Sequence, residues 1–239
     1  MKKILFGVLA FLMAFAGRAQ ETRYNDPNAT VRELSGFTGV KVSTGIELVL
    51  SQGNTEAVAV SAERVEDRNK IITEVKDGVL KIYFENGPAG SKWKGGRKLK
   101  AYVSVVNLHL LHASAGAGVK IEGRLKADRL AVELSSGAVL NGSIDADDLK
   151  VAQNSGSVVK INGNARVMDV DLSSGAMFRG YDMLTDKCSI GASSGGNAEI
   201  TVNKELEAYA SSGGNVRYKG TAVITKVKTS SGGSIKNKA

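Results

Sequence analysis

Ser135-Ser136-Gly137-Ala138-Val139-Leu140 is the stretch on which the fold turns, because the chain keeps returning to it. Ser-Ser-Gly recurs at 173–175, 193–195, 211–213 and 230–232, with Ser-Ala-Gly at 114–116 and Asn-Ser-Gly at 154–156. The seven glycines (Gly116, Gly137, Gly156, Gly175, Gly195, Gly213 and Gly232) stand 21, 19, 19, 20, 18 and 19 residues apart. A fixed period of about 20 residues marks a solenoid, in which one structural unit stacks on the next.

Aligned on that glycine, the units share apolar columns. Seven residues before it stand His109, Leu130, Leu149, Met168, Cys188, Leu206 and Thr225; five before it, Leu111, Val132, Val151, Val170, Ile190, Ala208 and Val227. Three before it are Ala113, Leu134, Gln153, Leu172, Ala192, Ala210 and Thr229, and three after it Val119, Leu140, Val159, Phe178, Ala198, Val216 and Ile235. The columns between are mixed, as with Glu133 and Asp171 four before. Alternation of period two predicts a strand on each side of a small-residue corner. Stacked at about 4.8 Å per coil, the seven units form a prism on the order of 34 Å long, walled by parallel sheet. Parallel crossovers are right-handed in nearly all cases, so the expected fold is all-β, a single-stranded right-handed parallel β-helix.

Ahead of the repeats the text is less regular. Residues 1–19 combine Lys2 and Lys3, an apolar run from Ile4 to Ala16 and a small-residue ending, and predict a secretory signal peptide cut before Gln20. The run is short for a membrane span, and no cysteine follows it to take a lipid anchor. Removing it takes away Lys2, Lys3 and Arg18 and no acid, so the net charge falls from +8 to +5, too little for a dedicated nucleic-acid binder. A linker at 20–31 and an irregular β region at 32–112 then precede regular repeats at 113–239. Placing Gly45 on the repeat glycine sends Val40, Val42 and Leu48 into the inward columns, as in an early coil. Ala57–Ala62 reads as a second such coil, and Leu80, Ile82 and Phe84, ending at Gly87, as a third. Glu63–Lys70 reads as a helical turn and Asp77-Gly78 as a hairpin. A distorted continuation of the solenoid is favoured over a sandwich-like cap, because Gly45 fits the register.

Gly36-Phe37, Val40-x-Val42, Gly45-Ile46-x-Leu48, Asp77-Gly78-x-Leu80-x-Ile82 and the Ser-Ser-Gly repeats together resemble the bacterial head GIN domain family of auto-transporter adhesins. The resemblance spans roughly residues 32–236 and implies a right-handed β-helix and an adhesive role. Glu47 replaces the asparagine of the eponymous Gly-Ile-Asn, so no role for that amide carries over. No translocator barrel is visible, so autotransport in the literal sense is not implied.

Candidate sites are few. Four residues after the glycine stand Lys120, Asn141, Lys160, Arg179, Glu199, Arg217 and Lys236, five of them cationic. Such a ladder suits a repeating anionic ligand, an acidic polysaccharide or cell-surface glycan. Trp93, between Lys92 and Lys94, can stack on a sugar at its edge. His109 and His112, three apart on a strand, face opposite sides and make no metal site. Glu133 and Asp171, on one column two coils apart, are separated by roughly 9.6 Å, at the upper edge of inverting-glycosidase geometry; they support only weakly the alternative of a pectinase-like enzyme. A non-catalytic binding module without metal or cofactor is therefore expected, with a purely structural envelope protein as a further alternative. Cys188, the only cysteine, reads as a buried inert thiol between Met168 and Leu206. An open last coil invites pairing with a second copy.

Overall fold

The computed structural model describes residues 26–85 and 97–238; the segment read as a signal peptide, Gly87 and Trp93 lie outside them. The strands in order are β1 (Thr30–Arg32), β2 (Gly39–Val42), β3 (Glu47–Gln52) and β4 (Ala57–Ser61), followed by a short helix α1 (Val65–Arg68). Next come β5 (Ile71–Lys76), β6 (Val79–Phe84), β7 (Lys100–Val105) and β8 (Leu110–Ala113). The long strands are β9 (Gly118–Leu134), β10 (Val139–Gln153), β11 (Val158–Leu172), β12 (Met177–Ala192) and β13 (Asn197–Ala210). The last coil is β14 (Asn215–Lys219), β15 (Val223–Thr229) and β16 (Ser234–Asn237). Together they form a β-solenoid of about seven turns.

From β9 to β16 every pairing is parallel, with one coil in register on the next. Each long strand bends between the corners, so the inward residues fall into three runs per coil. In β11 these are Val159 and Ile161, then Ala165, then Met168, Val170 and Leu172. Small and large residues alternate along the stack. Ile121 occupies the space over Gly142, where a Cβ would lie 2.5 Å from the isoleucine Cβ, and the Phe178 ring covers Gly180 in the same way.

The corners explain the Ser-Ser-Gly motif. In all seven, the residue before the glycine has φ of 46–53° and the glycine 70–77°. Two successive left-handed residues make a type I′ turn, closed here by bonds such as Ala138 N–H to Ser135 O at 3.1 Å. A left-handed non-glycine residue costs about 1–2 kcal/mol. Stacking offsets that cost: Gly137 N–H donates to Ser155 O of the next coil at 3.0 Å, and the same bond recurs from Gly116 to Gly213.

Four inward assignments, at His109, Thr225, Val227 and Thr229, are corrected. His109 is exposed and Leu108 buried in its place, a slip of one residue before β8 starts. Thr225, Val227 and Thr229 are exposed because no coil covers the last one, and Val223 reaches 68% exposure. Gln153 is inward and buried although polar; its amide donates to the carbonyls of Ser157 and Met177 at 3.4 and 3.2 Å. Cys188 lies between Met168 and Leu206, 4% exposed. Burial, with Asp169 nearby, pushes its thiol far above the ordinary value.

The N-terminal region both continues the solenoid and closes it. β2 and β3 stack under β8 and β9, with Val40, Val42 and Leu48 opposite Leu111, Ala113 and Val119. Thr44 and Gly45 form the same left-handed corner, and Gly45 N–H donates to Ala115 O at 3.0 Å. Ile46 is buried and Glu47 exposed, so the third position of the Gly-Ile-Asn motif faces solvent and tolerates the change. β6 and β7 extend the stack under β2 and β3, with Leu80 and Ile82 opposite Val40 and Val42. Ala57–Ala62, in contrast, is not a coil. β4 runs antiparallel between β7 and β1, and β1 ends the sheet, because the chain reverses after β3 instead of advancing around a corner. β5 pairs antiparallel with β6 through the Asp77-Gly78 turn and ends the second wall.

Candidate functional site

The wall that follows the Ser-Ser-Gly corner carries the cationic ladder. Register places Lys120, Asn141, Lys160, Arg179, Glu199, Arg217 and Lys236 in a single file, each the direct cross-strand partner of the next. Their side chains project outward because Val119, Leu140, Val159, Phe178, Ala198 and Val216, one residue earlier, are buried.

The file is uneven in charge. Lys120 meets Glu122 at 3.3 Å and Arg217 meets Glu199 at 3.6 Å, so both are paired on the wall itself. Between them, Lys160 and Arg179 have no carboxylate partner among the described residues, and the Arg179 Nε–H points at Met177 Sδ, 3.1 Å away. Lys236 likewise has no carboxylate partner among the described residues. Exposed ion pairs contribute only about 0–1 kcal/mol, so Glu199 can release Arg217 to a multivalent ligand.

Sequence reasoning missed the extension of this wall. Lys219 lies over the Tyr181 ring at 4.6 Å, adding a cation and an aromatic face beside Arg217. Burial, and then Glu199, raise the Tyr181 phenol above its ordinary value. The contact joins residues two coils apart and on the column next to the ladder, which a reading confined to one column passes over. Trp93, placed by sequence at the edge of the ladder, lies outside the described residues.

The other candidates are dispersed. His112 Nδ1 lies 3.1 Å from Glu133 Oε2, while His109 sits apart on an exposed loop. Glu133 and Asp171 share a column with Ala152 between them, as the period requires, and the titratable group beside Glu133 on that column is His112, its cross-strand partner. Among the described residues no three His, Cys, Asp or Glu side chains are grouped to hold a metal ion, and no helix is long and apolar enough to cross a membrane.

The family model described as "Putative auto-transporter adhesin, head GIN domain" matches residues 36–222. No curated protein matches the chain. Among solved structures, a "putative adhesin" from Bacteroides fragilis superposes with a TM-score of 0.79 at 17% identity, over 87% of this chain and 95% of the other. A "Putative lipid binding protein" from Parabacteroides distasonis gives 0.67 at 17% identity, covering 90% and 98%. A "putative adhesin" from Parabacteroides merdae gives 0.66 at 18% identity, covering 88% and 95%. At these identities the likeness is one of fold.

Proposed function

Starting from the chain's membership of the head GIN domain adhesin family, we propose that it is an exported, non-catalytic adhesion module whose post-corner wall binds an extended polyanion. The observation that carries this reading is the single file of cations with Lys160 and Arg179 unneutralised at its centre. A flat, parallel-stacked wall holds these charges at a repeat of about 4.8 Å, which suits a chain of regularly spaced carboxylates or sulfates. Individual exposed contacts are weak, so affinity comes from several acting together and is screened at about 8–10 Å in physiological salt.

The relative described as lipid binding raises phosphate head groups as a second source of the same negative charge. Retention on immobilised heparin and co-sedimentation with anionic phosphatidylglycerol vesicles separate the two. In either arm Lys160→Glu/Arg179→Glu is expected to abolish binding, and Arg217→Glu to weaken it less because Glu199 already occupies that cation. Unchanged heparin retention and vesicle binding by the folded double variant would overturn the assignment.

Assembly through the last coil belongs to the same reading. β15 is exposed along its whole length, Val223, Ile224 and Val227 included. Lys219, Lys226, Lys228, Lys236 and Lys238 surround it with no acid after Glu207, so pairing with a second copy strengthens as salt screens them. A monomeric mass by light scattering at high salt and high protein concentration would count against it.

A further inference from the structure

Away from the basic wall, a furrow of about 830 Å³ runs along the solenoid from Gln52 to Asn203. It follows the bend between the second and third runs of each coil. Its floor is Ala127, Ala146 and Ala165, successive cross-strand partners. One bank is Lys126, Asp145, Asn164 and Leu184, also partners in register. The other bank, one residue after the floor, is Asp128, Asp147, Arg166 and Asp186. The furrow forms because the residues on either side turn outward at the bend while Ala127, Ala146 and Ala165 turn toward the core, so that backbone lies between the two banks.

Several of these charges are already satisfied. Asp145 takes Arg124 at 2.8 Å and the Asn164 amide at 2.9 Å, Asp186 takes Lys204 at 2.8 Å, and Arg166 takes Asp148 at 3.3 Å. Among the described residues Asp128 and Asp147 have no cation within ion-pair distance, and Lys126 has no carboxylate. Asp128 and Asp147 flank the Ala127 and Ala146 pair, so they stand about one strand spacing, 4.8 Å, apart. Two bare carboxylates that close repel a polyanion, while Lys126 and Arg166 work against a polycation. What such banks recognise is hydroxyl: a carboxylate accepts charge-assisted bonds from adjacent hydroxyls without desolvating a second charge. Leu184, half exposed, offers an apolar face to ring C–H groups.

We infer that this furrow binds a neutral polysaccharide lying along the solenoid axis, at a site separate from the basic wall. The test is electrophoresis of the full chain through gels cast with dextran, laminarin or yeast mannan. At least one is expected to retard the wild type, and raised salt leaves the effect in place. Asp128→Ala/Asp147→Ala lowers the affinity about tenfold; Lys160→Glu/Arg179→Glu leaves it unchanged, so the two sites succeed or fail independently. Leu184→Ser, which removes the exposed apolar face without altering charge, gives a second, smaller loss. Free migration of the wild type in all three gels overturns the inference, as does equal retardation of the aspartate double variant.

Discussion

Between Gly118 and Lys219 each coil buries its side chains against the coils above and below, whereas between Thr30 and Val105 the same sheet is finished by antiparallel strands, a four-residue helix and a buried carboxylate. The coils are held by repetition. Apolar columns, small residues at the bends and one turn-to-turn hydrogen bond per corner recur with every turn. The N-terminal end is held by single contacts: Asp67, nearly buried, takes Arg64 at 2.6 Å with Arg97 3.7 Å away, and Arg97 lies over the Phe84 ring at 4.6 Å. A periodic region stacks only on itself. To stop, it needs elements that break the period, and those rest on particular side chains.

The strongest way to break this contrast is to put a charge in a stacked column. Cys188→Asp buries a carboxylate with no partner between Met168 and Leu206, at a cost upward of about 4 kcal/mol. Because each coil touches only its neighbours, the damage should centre on β11–β13 and leave β1–β7 the better protected in hydrogen exchange. Uniform loss of protection across both regions would show that they unfold as one unit. The wild-type thiol, buried and with its proton tightly held, should react slowly with thiol reagents in the native state.

A smaller perturbation separates the two jobs that glycine does in the corners. At Gly214 a Cβ would sit 2.1 Å from the Ala192 carbonyl oxygen, and the neighbouring coil would have to move. Gly214→Ala is expected to cost about 3 kcal/mol, in the manner of overpacking. At Gly213, φ is 75° but nothing lies within 4 Å of the added methyl, so Gly213→Ala costs about 1–2 kcal/mol of backbone strain. Urea midpoints of the two variants check the order. Equal losses would mean that close approach between coils contributes nothing beyond the turn conformation.

The regular half was legible because its information is periodic. The glycine spacing located every corner, and alternation located Val132, Val151, Val170 and Ile190 in one inward column. The exceptions are physical. Val227 follows the pattern but has no coil above it, and His109 precedes the strand whose phase it was given. β4 escaped because Ala57–Ala62 alternates equally well in an antiparallel strand, and alternation carries no direction. The ladder was legible as a file, but its charge balance was not: Glu122 sits two residues along the strand from Lys120, and Glu199 was one of the ladder's own positions. The furrow left one signal, the 19-residue spacing of Ala127, Ala146 and Ala165, which reads as ordinary filler until the bend is known.

The mildest test concerns how the N-terminal segment is fastened. Tyr102 Oη donates to Asp26 Oδ2 at 2.8 Å, tying the residues before β1 to β7. Burial, and then the bond to Asp26 and that carboxylate's charge, push the Tyr102 phenol up to about 12. A raised acid favours folding while it keeps its proton, so this contribution is whole below the ordinary tyrosine value near 10 and is lost as pH climbs toward about 12. Asp26 behaves in the opposite sense. Burial works to raise it, but bonds from Ser61, Tyr102 and the Asn28 amide outweigh burial and hold it below its ordinary value. Its contribution is therefore whole above the ordinary aspartate range and fades as pH falls through the lowered value. Tyr102→Phe should remove the alkaline limb and blunt the acid one, leaving the coils untouched. The measurement is limited proteolysis around residues 26–32 across a pH series with an alkali-tolerant protease. Wild type should begin to be cut there only well above pH 10, while Tyr102→Phe should be cut at neutral pH. Identical pH profiles for the two would mean that β1 is secured by its pairing with β4 alone.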